Sequence, residues 1–203
     1  PIAFNSSNTI ASTVNATNPT YDVVINSADA DAGNAVFAYN SSTSTTLGVG
    51  YITTGGVVGG PSNGFPALVT VGSTNSNDLI TINTDQVNTD PTEAERIYVA
   101  YSSRTASQGL KIKRFKGVLT VEATHTVEGS ATKISGASII VTQAGDLQIV
   151  YTMSATNTYD YQVKGAVYDV SADTMGSTAI IKRSVGLASK LWEYDGNKYF
   201  VCI

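Results

Sequence analysis

The chain has few of the residues on which enzymes and metal sites usually depend. Its 203 residues include one cysteine, one histidine and one tryptophan, and only 14% of the residues are charged. A single cysteine cannot form an intrachain disulfide, which excludes a disulfide-stapled scaffold. One histidine and one cysteine are also too few for the usual zinc ligand sets. We therefore predict neither a metal site nor a bound cofactor.

The chain also lacks positive charge and long apolar runs. Its net charge is −4, which argues against a general nucleic-acid binder, since such proteins are usually basic. No apolar run approaches the roughly 20 residues that a membrane helix needs, so no membrane span is predicted. The apolar share of 42% excludes a fully disordered chain.

Catalytic motifs are missing as well. No G-x-S-x-G, P-loop, H-E-x-x-H or C-x-x-C sequence occurs. His125 lies in a strand-like alternation, which predicts a surface or sheet-edge histidine instead of a triad member. The four arginines are dispersed along the chain and no sialidase box is present, which disfavours a glycosidase. We predict no catalytic residues and no enzymatic activity.

What the chain does have is a short phrase that occurs four times. The copies are Ala35-Val-Phe-Ala-Tyr39, Ile97-Tyr-Val-Ala-Tyr101, Leu147-Gln-Ile-Val-Tyr151 and Lys198-Tyr-Phe-Val-Cys202. Their last residues are 62, 50 and 51 positions apart, and strand repeats near this period are typical of β-propeller blades. Because the phrase is continuously apolar, it predicts a strand buried on both faces. Its recurring tyrosines are predicted to be packing residues.

Each copy belongs to a unit of four predicted strands. An apolar strand and a Gly/Asp/Asn hairpin turn precede the phrase, and two alternating strands follow it in each complete unit. We therefore predict an all-β fold, a partial β-propeller of four-stranded antiparallel blades, about three and a half in this chain. The predicted divisions are an entry strand and linker at 1–20, blades at 21–72, 73–123 and 124–184, and the start of a fourth blade at 185–203. Because the last copy stops at Ile203, we expect a longer parent protein.

Two loops invite functional interpretations. An insertion between Thr53 and Gly64, rich in glycine, is either an inter-subunit contact loop or a tolerated surface insertion. The residues that would make the contact are Gly55, Gly56, Gly59, Gly60 and Asn63. Asp29-Ala-Asp-Ala-Gly-Asn34 is similar to the start of a calcium loop but lacks the distant glutamate, so a hairpin turn is the favoured interpretation.

The single basic cluster is Lys111-Ile-Lys-Arg-Phe-Lys116. In a strand, Lys111 and Lys113 would share one face, and Arg114 and Lys116 the other. One interpretation is an outer strand that its lysines protect from edge pairing. The other is a DNA-facing patch formed by Lys111, Lys113, Arg114 and Lys116, whose cations would contact phosphates.

The last stretch of the chain is similar to a known family. Gly186-Leu-Ala-Ser-Lys190, then Asp195-Gly-Asn197 and a Tyr-rich strand, resemble a segment of the tail nozzle proteins of short-tailed bacteriophages, also called tail tubular protein B or tail stabilisation proteins. The resemblance implies a large, non-enzymatic, propeller-bearing protein. In that family it forms a ring, typically six-fold, below the portal and adaptor, and the ring conducts genomic DNA.

Two functional hypotheses follow. The first is a structural virion protein, a tail nozzle or tail tube component that assembles into a homo-oligomeric ring, such as a hexamer, in the phage tail. Its partners would be the adaptor or portal and the tail fibre, with genomic DNA passing through. The alternative is a carbohydrate- or receptor-binding propeller such as a tail fibre, lectin or adhesin. The loops differ between the repeats, which counts against a lectin with one site per blade.

Overall fold

The fold consists of β-strands. The computed structural model describes residues 20–25, 35–40, 46–52, 58–59, 67–70, 79–84, 96–103, 108–116, 120–129, 132–154, 161–183, 189–194 and 197–202. Every regular element within these ranges is a strand. The described ranges contain no helix that could cross a membrane. The predicted all-β class is therefore confirmed.

The strands form four antiparallel sheets, which follow one another along the chain. The first sheet contains β1 (Tyr21–Ile25), β2 (Ala35–Asn40), β3 (Thr46–Ile52), β4 (Val58–Gly59) and β5 (Ala67–Thr70). The second contains β6 (Leu79–Thr84), β7 (Ile97–Ser102), β8 (Leu110–Lys116) and β9 (Thr120–Glu128). The third contains β10 (Lys133–Val141), β11 (Leu147–Ser154), β12 (Tyr161–Asp169), β13 (Thr174–Met175) and β14 (Ala179–Arg183). The fourth is the hairpin of β15 (Ser189–Tyr194) and β16 (Asn197–Cys202).

Within each sheet the strands pair in chain order, and the repeated phrase forms the second strand every time. Two details differ from the predicted units. The two-residue strands β4 and β13 pair with the third strand beside the outer strand, so the first and third sheets have five strands. Strand β9 continues to Glu128, so the predicted division after residue 123 falls inside a strand.

The first three strands of the second sheet, β6, β7 and β8, are buried on both faces. One face packs on the first sheet through a core that includes Val36, Val49, Ile82, Val99 and Phe115. The other face packs on the third sheet through a core that includes Leu110, Ile112, Ile134, Leu147 and Ile149. Burial on both sides explains the continuous apolar run of the repeated phrase, since each face needs its own apolar residues.

The tyrosines of the phrase are packing residues, as predicted. Tyr39, Tyr101 and Tyr151 are almost completely buried. Tyr101 belongs to the core between the first and second sheets, and Tyr151 to the core between the second and third. Burial raises the pKa of Tyr101 to about 12, so its phenol stays protonated at neutral pH.

Successive sheets meet along their first strands, since β1 contacts β6, β6 contacts β10, and β10 contacts β15. Among the described strands, each first strand has a partner on one side only, which leaves backbone groups on its other side without a strand partner from those ranges. In two places, a side chain from the preceding sheet forms a hydrogen bond with one of these backbone groups. The backbone N–H of Ile82 donates to Asp22 Oδ2 at 2.9 Å, and Asn83 Nδ2 donates to the carbonyl of Ile139 at 3.0 Å.

Glycine has a packing role in the first sheet. Gly48 lies opposite Tyr39 in the β2–β3 register, and the ring of Tyr39 occupies the space where a β-carbon of residue 48 would be. A bulky aromatic residue over a cross-strand glycine fills the gap that the missing side chain leaves.

We expect Gly48→Ala to lower the free energy of unfolding by about 1–3 kcal/mol, because the new methyl group overlaps the buried ring. Urea denaturation measures the change. Gly129→Ala is the control, since a β-carbon there meets open space. Equal unfolding midpoints for the two variants would contradict the packing of Tyr39 on Gly48.

Candidate functional site

Charged and polar side chains meet between the second and third sheets in a group that we call the Arg114 cluster. Its members are Arg96, Arg114, Glu122, His125, Tyr168 and Asp173. Strands β8 and β9 carry Arg114, Glu122 and His125, and Arg96 directly precedes β7. Tyr168 comes from β12, and Asp173 from the turn that follows it. The cluster therefore joins the second sheet to the third through residues that are far apart in sequence.

Arg114 is the centre of this cluster and is 7% exposed. Its Nε lies 3.0 Å from Glu122 Oε2, and its Nη1 lies 3.1 Å from Asp173 Oδ1 and donates to the hydroxyl of Tyr168. Arg96 Nε donates to the same Glu122 oxygen at 3.1 Å. Two arginines and two carboxylates thus neutralise each other at the sheet interface, which is how buried charges are tolerated.

The turn after β12 presents Asp173 to the cluster. Asp173 has a φ of 55°, in the left-handed region that aspartate enters more readily than most residues. Its Oδ1 accepts a hydrogen bond from Tyr168 at 2.5 Å and lies 2.9 Å from Nε2 of His125. The Tyr168 hydrogen bond, with His125 and Arg114 beside it, lowers the pKa of Asp173. Asp173 is therefore ionised over the whole neutral range.

His125 lies on the outer strand of the second sheet, at a sheet edge as predicted. Its ring is 4.6 Å from the ring of Tyr168, measured between centroids. Burial and the hydrogen bond to Asp173 raise the pKa of Tyr168, so the phenol remains a hydrogen-bond donor. An Asp–His pair and a buried tyrosine are groups that can take part in proton transfer. In this geometry they bond to one another and hold the two sheets together.

A second polar group, the Glu128 cluster, joins the same two sheets at the end of β9. Glu128 Oε2 accepts hydrogen bonds from the hydroxyl of Tyr151 at 2.7 Å and from Lys164 Nζ at 2.8 Å. Desolvation works against the charged carboxylate, but the hydrogen bonds from Lys164 and Tyr151 outweigh it and lower the pKa of Glu128. Burial and the bond to Glu128 raise the pKa of Tyr151.

The predicted basic patch does not form one exposed surface. Lys113 and Arg114 are both buried, and they lie on opposite faces of β8. Lys113 Nζ donates to Thr124 Oγ1 at 2.9 Å, and burial, with a smaller effect of Lys111, lowers its pKa. Arg114 is held by Glu122 and Asp173. Lys111 is partly exposed, and the side chain of Lys116 lies outside the described residues.

The predicted loop sites fall largely outside the described residues. Of the proposed inter-subunit loop, Gly59 lies in β4 opposite Tyr51, whereas Gly55, Gly56, Gly60 and Asn63 are outside the described ranges. The Asp29-to-Asn34 hairpin is also outside them. Within the described ranges, no three His, Cys, Asp or Glu side chains lie close enough to hold a metal ion.

The two clusters contain functional groups that the sequence interpretation missed. The dispersed arginines suggested separate positions, yet Arg96 and Arg114 meet on one glutamate. The available signal was the polar pattern of β9, where Glu122, His125 and Glu128 interrupt a strand-forming run. The chain matches no protein-family model, and no curated protein is similar to it at a significant level.

We expect Arg114→Met to lower the free energy of unfolding by about 2–3 kcal/mol, because Glu122 and Asp173 lose their shared cation while remaining at the interface. Urea denaturation at neutral pH measures the change. The control is Arg183→Met on β14, where the side chain is exposed, and it should change stability by less than about 0.5 kcal/mol. A similar loss of unfolding free energy in both variants would show that the ion pairs of Arg114 make no specific contribution to stability.

The Glu128 cluster predicts an acid-side loss of stability. The folded-state pKa of Glu128 lies below its ordinary value of 4.5, so the unfolded chain binds more protons in the window below that pH. The stabilisation is present above pH 4.5 and is lost as the pH falls through the folded-state pKa.

Glu128→Gln should therefore cost about 1–3 kcal/mol at neutral pH, and its difference from the unmodified protein should shrink in acid. Urea denaturation across this pH range measures both. Asp146→Asn removes the same charge from a turn and should leave neutral-pH stability nearly unchanged. A Glu128→Gln difference that stays constant down to acidic pH would rule out the ion pair as its source.

Proposed function

We propose that this chain is the propeller-bearing part of a structural virion protein, a tail nozzle or tail tube component of a short-tailed bacteriophage. The observation that carries the proposal is the stacking of the sheets in chain order, with a hydrophobic core on each side of the second sheet. Units of this kind cannot bury their apolar faces alone and need neighbours on each side. A protein built from such stacked sheets is suited to a structural role in which it contacts other subunits.

The polar side chains support a scaffold role. The Arg114 and Glu128 clusters place their charged groups between two sheets, where they bind one another. Asp22 and Asn83 bridge the first strands of neighbouring sheets. Among the described residues, these charged groups help to fix the position of one sheet on the next. That use favours rigidity, which suits a structural component of a virion.

The stretch that resembles nozzle proteins provides the link to phage tails. Residues 189–194 and 197–202 form the β15–β16 hairpin, which contacts the third sheet through β10 and β11. The part of the resembling stretch that lies in this hairpin therefore belongs to the next unit of the same stack. In our proposal the protein lies in the phage tail, forms a ring, contacts the adaptor or portal and the tail fibre, and lets genomic DNA pass.

The location of the protein in virus particles tests this proposal. Antibodies raised against the chain should label the tail of purified phage particles in immuno-electron microscopy, and pre-incubation with the free chain should abolish the label. The same preparation is applied to a glycan array. Absence of tail label, with specific glycan capture by the isolated chain, would contradict the nozzle proposal and favour the receptor-binding alternative.

A further inference from the structure

The face of the second sheet that packs on the first sheet carries two lysines. Lys111 and Lys113 are two residues apart on β8, so their side chains lie on the same face of the sheet. In the strand register they lie opposite Tyr101 and Val99 of β7, which belong to the core shared with the first sheet. Both lysines therefore lie on the face toward the first sheet, and Arg114 lies on the other face.

Lys113 is buried to the same degree as Arg114 but lacks a carboxylate partner. The two residues are 8% and 7% exposed. Arg114 forms ion pairs with two carboxylates, whereas Lys113 donates to the hydroxyl of Thr124. The ion pairs within the described part of the chain include neither Lys113 nor Lys111. A buried cation without a counter-charge is costly, so this position favours either an anion or loss of the proton.

The adjacent strand β9 presents hydroxyl groups to this face. Thr126 and Thr124 lie opposite Lys111 and Lys113 in the β8–β9 register. The two glutamates of β9 are engaged on the other side of the sheet, where one pairs with Arg114 and the other with Lys164 of the third sheet. Strand β9 therefore supplies hydrogen-bonding groups to the lysines without supplying negative charge.

The first sheet does not supply the counter-charge either. Residues 32–77, which include the whole of β2, β3, β4 and β5, contain no aspartate or glutamate. Asp22 of β1 accepts the backbone N–H of Ile82 on β6. Strand β7 lies between β6 and β8, which places that carboxylate about two strand spacings, roughly 10 Å, from β8.

A phenol on the same face is a further donor. Tyr101 lies opposite Lys111 in the register, and its hydroxyl is buried without a hydrogen-bond partner in the described part of the chain. Burial raises the pKa of Tyr101 to about 12, so the phenol keeps its proton. Burial, with a smaller effect of Lys111, lowers the pKa of Lys113. A negatively charged acceptor would relieve both costs.

We propose that this face binds a small oxyanion, of which inorganic phosphate is the simplest, between the first and second sheets. The residues that form this lysine face are Tyr101, Lys111, Lys113, Thr124 and Thr126. The two ammonium groups supply the positive charge, and charge-assisted hydrogen bonds to oxyanions are the strong ones in proteins. Because Lys113 is buried, a free anion fits the site and the backbone of a DNA duplex does not. The inference is independent of any location in a phage tail.

Urea denaturation with inorganic phosphate as the probe tests the site. Raising phosphate from zero to about 20 mM, with chloride adjusted to keep the ionic strength constant, should raise the unfolding midpoint of the unmodified protein, because a ligand of the folded state stabilises it by mass action. Constant ionic strength separates binding from general screening of charge.

Lys113→Met gives the sharpest comparison. Methionine fills a similar volume without charge, so the midpoint in phosphate-free buffer should equal or exceed that of the unmodified protein. The phosphate-dependent increase should be lost. Lys111→Met should weaken the apparent phosphate affinity at least about tenfold, because one of two cations is removed. Lys182→Met is the matched control: it removes the same charge from an exposed position on β14 and should keep the full phosphate response.

Three results would overturn the inference. The first is an unmodified protein that does not respond to phosphate, which would indicate that Lys113 is neutral. The second is a phosphate response that Lys113→Met keeps or that Lys182→Met loses equally. The third is binding of a short DNA duplex that depends on Lys113, without binding of phosphate, which would favour a DNA contact.

A measurement on the unmodified protein covers the case in which a variant fails to fold. Phosphate should slow the acetylation of Lys111, which is partly exposed, relative to chloride at the same ionic strength. The exposed Lys182 should react at the same rate in both salts. Mass spectrometry of the digested protein measures both rates. Equal slowing of the two lysines, or no slowing of Lys111, would contradict an oxyanion site on the lysine face.

Discussion

Burial of the apolar sheet faces against neighbouring sheets is the constraint on which the rest of this structure depends. A single antiparallel sheet of four or five strands leaves at least one apolar face in water, and the hydrophobic effect penalises that exposure roughly in proportion to its area. In this chain the neighbouring sheet covers the face, so no sheet is independent of its neighbours. The continuous apolar phrase, the buried tyrosines and the cross-strand glycine at Gly48 all follow from this arrangement.

Stacking brings polar groups to the interfaces, where they need partners. The first strands pair with one described strand only, and Asp22 and Asn83 bond to two of their outward backbone groups from the adjacent sheet. Nearer the outer strands, the Arg114 and Glu128 clusters pair charges that come from two sheets. Apolar contact drives the sheets together but fixes no register between them. Directional hydrogen bonds and ion pairs between the sheets select one relative position.

The regular recurrence of the repeated phrase predicted the all-β class and the position of each unit. The sequence offered little indication of the candidate site. The phrase ending in Tyr39, Tyr101 and Tyr151 revealed which strand is buried and where each unit lies, since local apolar pattern determines a strand. The Arg114 cluster could not be predicted, because Asp173 meets His125 across 48 residues and two sheets. The basic run at Lys113 and Arg114 suggested an exposed patch, and the burial of both side chains could not be predicted for the same reason. Only the positions of the neighbouring sheets reveal that these cations are covered.

Because they share one core, the second and third sheets are expected to keep their structure only together. Native-state hydrogen exchange in increasing urea measures the opening of each strand directly. If the account is right, the amides of β7 and β8 and those of β11 and β12 converge on one opening free energy and one denaturant dependence. Two separate values, with one sheet opening while the other stays protected, would contradict it.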